Sequence, residues 1–130
     1  MKCKELGIPT LVGMTPILPF INDTRENIEG LLDYCLQAGV QGILLFDVGV
    51  TLRDGDREFF YQALDRDFPG IRQKYVHTYG NAYDIPSPHA KELMALIRNT
   101  CSANSILCSP KECFAYLNEF PKRYVQQTLF

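Results

Sequence analysis

The sequence predicts an α/β fold, and two apolar runs with a helical segment between them support this prediction. Residues 10–18 (TLVGMTPIL) and 40–48 (VQGILLFDV) are apolar without strict alternation, which is the pattern of strands buried on both faces. The short connections around the helix make a βαβ unit with parallel strands and a right-handed crossover. Two such strands are too few for a stable sheet and need neighbours on each side. We therefore expect the carboxyl-terminal part of a larger α/β protein.

The elements of this unit have recognisable ends. Residues 2–7 have the pattern of a last helical turn closed by its glycine. Asp23 or Thr24 caps the helix between the strands, and Asp23 with Glu26 has the spacing of a capping box. Gly39 ends that helix. Its apolar stripe has the spacing of a helix lying on a sheet and consists of Ile28, Leu31, Leu32, Cys35 and Leu36.

The second strand is followed by a predicted loop and then by several covering helices. Residues 49–58 (GVTLRDGDRE) are expected to form the loop, and Asp56 can cap the helix after it. The residues DFPG break that helix, and a further short helix follows. Ser87 is the expected N-cap of the next helix. Ser109 and Glu112 have the spacing of a capping box at the start of the last one.

Composition and charge exclude several classes of protein. The 130 residues carry a formal net charge of -2, which argues against binding nucleic acid through bulk electrostatics. There is no apolar run near the ~20 residues that span a bilayer, and the first residues lack the apolar core of a secretory signal. We therefore expect a cytoplasmic protein with no membrane partner. The five cysteines have no C-x-x-C spacing, so reduced thiols and no metal site are expected.

Four stretches carry a family resemblance: residues 16–23 (PILPFIND), 49–53 (GVTLR), 57–61 (REFFY) and 68–83. They are similar to the carboxyl-terminal half of radical S-adenosylmethionine proteins of the spore photoproduct lyase type, also described as DNA repair photolyase-like. The resemblance covers nearly the whole chain and implies a partial (β/α) barrel. Residues 1–120 would form its carboxyl-terminal part with a helical extension. It also implies a [4Fe–4S] cluster that cleaves S-adenosylmethionine to a radical, with DNA lesion repair as the activity.

One feature of such proteins is absent from the sequence. The C-x-x-x-C-x-x-C loop that holds the cluster does not occur in the 130 residues. We therefore expect the cluster ligands in the amino-terminal half of a full-length protein, which would be the partner of this chain, and no activity from the chain alone. The alternative is a non-catalytic fragment or interaction module that retains the fold.

The ends of the two strands are the expected ligand site, because α/β folds bind ligands beyond the carboxyl ends of parallel strands. Together with the resemblance, this position assigns cofactor contacts to Thr15, Pro16, Asp47 and Gly49, and substrate contacts to Asn22, Arg53 and Tyr79. Structural alternatives remain for several of them. Asn22 can belong to a helix cap, Arg53 can form an ion pair with Asp47, and Tyr79 can be a packing residue.

Residues 121–130 are predicted to be a flexible tail with a binding motif. Within it, QQTLF is similar to the peptide by which bacterial repair and replication proteins bind the sliding clamp. Leu129 and Phe130 would enter an apolar pocket while the Gln126 amide hydrogen-bonds to its rim. DNA and the bacterial clamp are thus the further expected partners. The alternative is that the Leu-Phe pair folds back onto the protein's own helices.

Overall fold

A computed structural model describes residues 1–119, so the predicted tail with Gln126, Leu129 and Phe130 lies outside the described residues. The elements in chain order are α1 (Lys2–Glu5), β1 (Leu11–Gly13), α2 (Arg25–Ala38), β2 (Gly42–Leu44), β3 (Gly49–Thr51), α3 (Asp56–Asp67), α4 (Ile71–Tyr79), β4 (Asp84–Pro86), α5 (Ala90–Ala103) and α6 (Pro110–Asn118). None of the helices in this part of the chain is long and apolar enough to cross a bilayer.

The predicted βαβ unit is present, and the mixed α/β class is confirmed. β1 and β2 pair in parallel, with Leu11 opposite Gly42 and Gly13 opposite Leu44. α2 connects them and ends at Gly39, whose φ of 64° lies in the left-handed region that glycine tolerates. Of the predicted apolar stripe, Ile28, Leu32 and Cys35 are buried, whereas Leu31 is exposed.

The segment after α5 covers the outer edge of β2. The Leu107 N–H donates to the Gln41 carbonyl oxygen at 2.9 Å, and the Leu107 carbonyl accepts from the Ile43 N–H at 2.8 Å. The Ser109 hydroxyl then accepts from the Glu112 N–H at 3.2 Å, which confirms the predicted capping box at the start of α6. The predicted need for a neighbour on each outer edge is therefore met for β2 by a segment of the chain itself. Within residues 1–119 no strand pairs with the outer edge of β1.

The predicted loop over residues 49–58 is wrong at its beginning. Gly49–Thr51 is strand β3, which pairs antiparallel with β4 (Asp84–Pro86). The pairing is unusually close at Gly49, where an added Cβ would collide with the Ile85 carbonyl oxygen and lie 2.9 Å from the Pro86 Cα. Glycine is therefore required here by backbone contact with a strand about 35 residues further on.

Of the two residues predicted to cap α2, Thr24 is the cap, because its hydroxyl accepts from the Asn27 N–H at 3.2 Å. Asp23 therefore does not form the predicted capping box with Glu26, and two other predicted helix caps are wrong. Asp56 is the first residue of α3 and lies after the actual N-cap, Gly55. Ser87 lies three residues before the start of α5, whose N-cap is His89.

Two buried clusters form the core. The larger cluster lies between the β1–β2 pair and helices α2 and α5, and it includes Ile28, Ile43 and Ile97. The smaller one is aromatic in character, packs α3 and α4 against the β3–β4 pair, and centres on Tyr75. The carboxyl ends of β1 and β2 thus lie beside a second small sheet.

Candidate functional site

A cleft opens where the chain leaves β1 and β2 and meets the β3–β4 pair. It encloses about 450 Å³. Its lining consists of Thr15, Pro16, Phe46, Asp47, Gly49, Val50, Thr51, Asp84, Ile85 and Pro86. All four residues predicted to contact a cofactor are in this set. The structure therefore brings together the two strand ends from which the sequence predicted a ligand site.

The polar side chains of the cleft are acidic or neutral. Asp47 follows β2, is exposed, and accepts a 2.7 Å hydrogen bond from the Val48 N–H through one carboxylate oxygen. Asp84 is exposed on the opposite wall, at the start of β4. Among residues 1–119, no Lys, Arg or His lines the cleft. The site therefore favours a ligand that carries positive charge near these carboxylates.

An aromatic ring stands at the mouth of the cleft. Phe46 is 69% exposed, and its ring lies 6.4 Å from that of Phe114 in α6. The Thr15–Pro16 peptide bond on the neighbouring wall is cis. These features give the cleft one apolar rim beside its two carboxylates.

The wall formed by β3 and β4 is held from behind by α3 and α4. The Arg57 guanidinium donates to the carbonyl oxygens of Ala82 at 2.7 Å and Leu52 at 3.3 Å, which joins the segments around the two strands. The Tyr79 hydroxyl donates to the Pro86 carbonyl oxygen at 2.6 Å. Tyr79 therefore supports a residue of the lining but does not itself line the cleft.

Two further hydrogen bonds fix the loop after β1. The buried carboxylate of Asp23 accepts from the Ser87 hydroxyl just beyond β4. The Tyr75 hydroxyl donates to the Pro19 carbonyl oxygen at 2.7 Å. Asp23 is thus a buried connection between distant segments, which differs from the helix cap that the sequence indicated.

The negative charge of Asp23 also affects Tyr79. Burial, with a smaller contribution from that charge, raises the pKa of Tyr79.

Arg53 lies next to the cleft and pairs with an aromatic hydroxyl. Its Nε donates to the Tyr83 oxygen at 3.3 Å, and this contact is the main cause that lowers the pKa of Tyr83. A hydrogen bond with Thr51 lowers that pKa further. Within the described residues no ion pair joins Arg53 to Asp47, so the structural alternative for these two side chains is not found.

Asn22 closes a turn outside the cleft. Its side-chain oxygen accepts from the Leu18 N–H, and its carbonyl accepts from the Asn27 side-chain amide at 2.7 Å. It borders a separate 310 Å³ cavity that Thr15 and Pro16 also line. The three residues predicted to contact substrate are therefore not brought together: Asn22 lies behind the β1 end, Arg53 beside the cleft, and Tyr79 behind β4.

Sequence reasoning missed six lining residues: Phe46, Val50, Thr51, Asp84, Ile85 and Pro86. Phe46 immediately precedes Asp47 at a strand end, so the rule that found Asp47 could have included it. The others belong to the β3–β4 pair, whose three-residue strands are too short to show a periodicity.

Comparison with known proteins gives distant relatives. The chain is 29% identical over 91 residues to the uncharacterized proteins Rv2578c and MT2655 of Mycobacterium tuberculosis and Mb2609c of Mycobacterium bovis. The aligned residues are 70% of this chain and 26% of each relative, so the chain spans about a quarter of their length. No protein-family profile and no solved structure matches the chain.

Proposed function

We propose that the chain is the carboxyl-terminal portion of a radical S-adenosylmethionine enzyme of the spore photoproduct lyase type, within a partial (β/α) barrel. In this proposal the cleft between the β1 and β2 ends and β4 lines the cofactor and substrate cavity, and the substrate is a DNA lesion. The observation that carries the proposal is the convergence of Thr15, Pro16, Asp47 and Gly49 on one cleft.

The position and size of the cleft support a small-molecule ligand. It lies beyond the carboxyl ends of two parallel strands, where α/β folds place their ligands. Its volume of about 450 Å³ lies within the range of about 300–1,000 Å³ that is usual for ligand pockets.

The charge of the cleft supports this particular cofactor. S-adenosylmethionine carries a cationic sulfonium, beside an amino-acid end whose ammonium and carboxylate charges balance. Asp47 and Asp84 supply negative charge on opposite walls, without a basic side chain in the described lining. Each carboxylate should favour a nearby cation by roughly 0.5–1 kcal/mol in such an open, hydrated site. The donor set of this chain thus fits the cofactor.

The iron–sulfur cluster does not fit this chain by itself. Residues 1–119 contain no group of three or more His, Cys, Asp or Glu side chains placed to hold a metal ion. In the proposal the cluster ligands belong to a segment encoded upstream, and the cluster and S-adenosylmethionine together supply hydrogen abstraction when bound. In the proposal, the residues of this chain bind and orient the sulfonium of the cofactor.

The proposed substrate contact is the side of the cleft beside Arg53. The Arg53 guanidinium is exposed and is held toward Tyr83, which is itself 48% exposed. A guanidinium suits a DNA phosphate, and an exposed phenol ring suits stacking on a base. The acidic cleft itself would repel the DNA backbone, which would keep phosphates at its rim.

Calorimetric titration of the purified chain with S-adenosylmethionine and with S-adenosylhomocysteine tests the proposal. The second ligand lacks the sulfonium charge. We expect S-adenosylmethionine to bind about tenfold more tightly, since two carboxylates together contribute about 1–2 kcal/mol. The double variant Asp47→Asn and Asp84→Asn should remove the preference. Asp33→Asn on the exposed face of α2 is the matched control and should retain it. Equal affinity for the two ligands, or no saturable binding of either, would contradict the proposal.

A further inference from the structure

Ser87 lies just after β4 and joins three segments around the cleft. It is 5% exposed, and its hydroxyl donates to the buried carboxylate of Asp23 in the loop after β1. The same hydroxyl oxygen accepts from the His89 N–H at 3.0 Å, which fixes its orientation. Through its backbone N–H, Ser87 also donates to the Val48 carbonyl oxygen at 2.8 Å. One buried residue thus holds together the segments that follow β1, β2 and β4.

The hydrogen bond to Val48 continues to a carboxylate of the cleft. Val48 is fully buried, and its N–H donates at 2.7 Å to one carboxylate oxygen of Asp47. Three hydrogen bonds therefore lead from Asp23 through Ser87 and Val48 to Asp47. Because Val48 is held both by its buried side chain and at its carbonyl oxygen, the direction of its N–H is fixed. The Asp47 carboxylate that accepts from this N–H is fixed with it.

We propose that Asp23 and Ser87 are positioning residues that orient the Asp47 carboxylate toward a cationic ligand and so set the charge preference of the cleft. This role rests on the proposed function, in which Asp47 and Asp84 attract the sulfonium of S-adenosylmethionine. Neither Asp23 nor Ser87 lines the cleft, so both act through Val48.

The physical basis of this role is the distance between two charges. Asp47 is exposed, and an exposed carboxylate without a fixed hydrogen-bond donor rotates among several rotamers. Its mean distance from a cation in the cleft then increases, and the attraction between the two charges falls with that distance. Loss of the hydrogen bond between Ser87 and Asp23 should therefore weaken the attraction for the sulfonium and leave the contacts with uncharged parts of the ligand unchanged.

A purely structural role of this hydrogen bond predicts a different result for a pair of variants. Ser87→Ala should lower the unfolding temperature in either case, because the buried Asp23 carboxylate loses its donor. Asp23→Ala combined with Ser87→Ala leaves no unpaired buried charge, so this double variant should unfold at a higher temperature than Ser87→Ala. If the role is only structural, the charge preference recovers together with the stability. If the two residues orient Asp47, the preference stays low in both variants.

The experiment measures the charge preference as the ratio of the affinities for S-adenosylmethionine and S-adenosylhomocysteine, by calorimetric titration of the full chain. We expect this ratio to fall from about tenfold to about threefold in Ser87→Ala and in the double variant, because one of the two carboxylates loses its orientation. Thr24→Ala is the matched control, since it removes the hydroxyl that caps α2 next to Asp23. It should lower the unfolding temperature but keep the full preference.

A second measurement needs no ligand. Exchange of the Val48 N–H with deuterated water, followed by nuclear magnetic resonance, reports how firmly that group is held, and it should be about tenfold faster in Ser87→Ala than in Thr24→Ala.

Three results would overturn the proposal while the proposed function stands: the full preference in Ser87→Ala, recovery of the preference in the double variant, or equal exchange of the Val48 N–H in Ser87→Ala and Thr24→Ala. A wild-type chain that binds both ligands equally would instead contradict the proposed function, and the positioning role with it.

Discussion

Tyr75→Phe should lower the free energy of unfolding by about 1–3 kcal/mol. Tyr75 is fully buried in α4, and its hydroxyl donates to the Pro19 carbonyl oxygen at 2.7 Å. The variant keeps the ring in its edge-on contacts with Phe20 and Phe60 but leaves that carbonyl without this donor. The loss falls on the loop after β1, which carries one wall of the cleft.

The contribution of Tyr75 to the free energy of unfolding should depend on pH in the alkaline range. Burial is the main cause that raises the pKa of Tyr75 above its ordinary value of 10.0, and the charges of Tyr79 and Asp23 add to it. Above about pH 10 the unfolded chain has released the phenol proton of Tyr75, while the folded chain still holds it. The free energy of unfolding therefore keeps its full contribution from this phenol below about pH 10 and falls by up to about 1.4 kcal/mol per pH unit above it.

The assay is urea unfolding followed by circular dichroism, at several values between about pH 8 and pH 11.5. Wild type and Tyr75→Phe contain the same other titratable groups. The difference between their free energies of unfolding, plotted against pH, therefore reports the titration of the Tyr75 phenol. We expect the deficit of the variant to shrink above about pH 10. Tyr34→Phe is the control, because Tyr34 is 70% exposed on α2 and its loss should change stability by less than about 0.5 kcal/mol. A constant deficit across the whole pH range would refute the assignment of a buried, neutral phenol.

Three other experiments have defined outcomes. Gly49→Ala should lower the free energy of unfolding in urea by about 1–3 kcal/mol, because its Cβ would enter the β4 backbone. Gly13→Ala has open space around it and should leave that free energy nearly unchanged. Equal losses for the two variants would contradict the close contact at Gly49. The isolated chain should associate or bind an apolar dye through the edge of β1 that has no partner within residues 1–119. A monodisperse monomer without dye binding would contradict this. A labelled peptide of residues 119–130 should bind a bacterial sliding clamp with micromolar affinity that is lost on Leu129→Ala with Phe130→Ala; binding indifferent to that change would end the clamp hypothesis.

The part of the fold that could be predicted is the part with a strong local pattern in the sequence. Two apolar runs indicate the strands of the parallel pair, and the repeated apolar positions of α2 indicate the helix between them. The β3–β4 pair has three residues in each strand, and its register depends on contact between Gly49 and the Ile85–Pro86 backbone. Such long-range pairing leaves no local pattern in either segment.

The residues of the candidate site also differ in whether they could be predicted from the sequence. Thr15, Pro16 and Asp47 were predictable because the ends of parallel strands converge by geometry. Asp84 was not, because its position depends on the unpredicted strand β4. Asp23 was assigned to a helix cap from its local sequence, yet it accepts a hydrogen bond from Ser87, 64 residues away. Local capping rules do not include such partners, since they consider only the first turn of the helix.

The genomic sequence upstream of the Met1 codon decides whether the chain belongs to a radical S-adenosylmethionine enzyme. We expect an in-frame coding segment that contains three cysteines at C-x-x-x-C-x-x-C spacing, which would supply the cluster ligands that this chain lacks. The assembled protein would then be the one to assay for S-adenosylmethionine cleavage. A stop codon in frame directly before Met1, with no neighbouring gene that encodes this motif, would contradict the enzyme proposal and favour a non-catalytic interaction module.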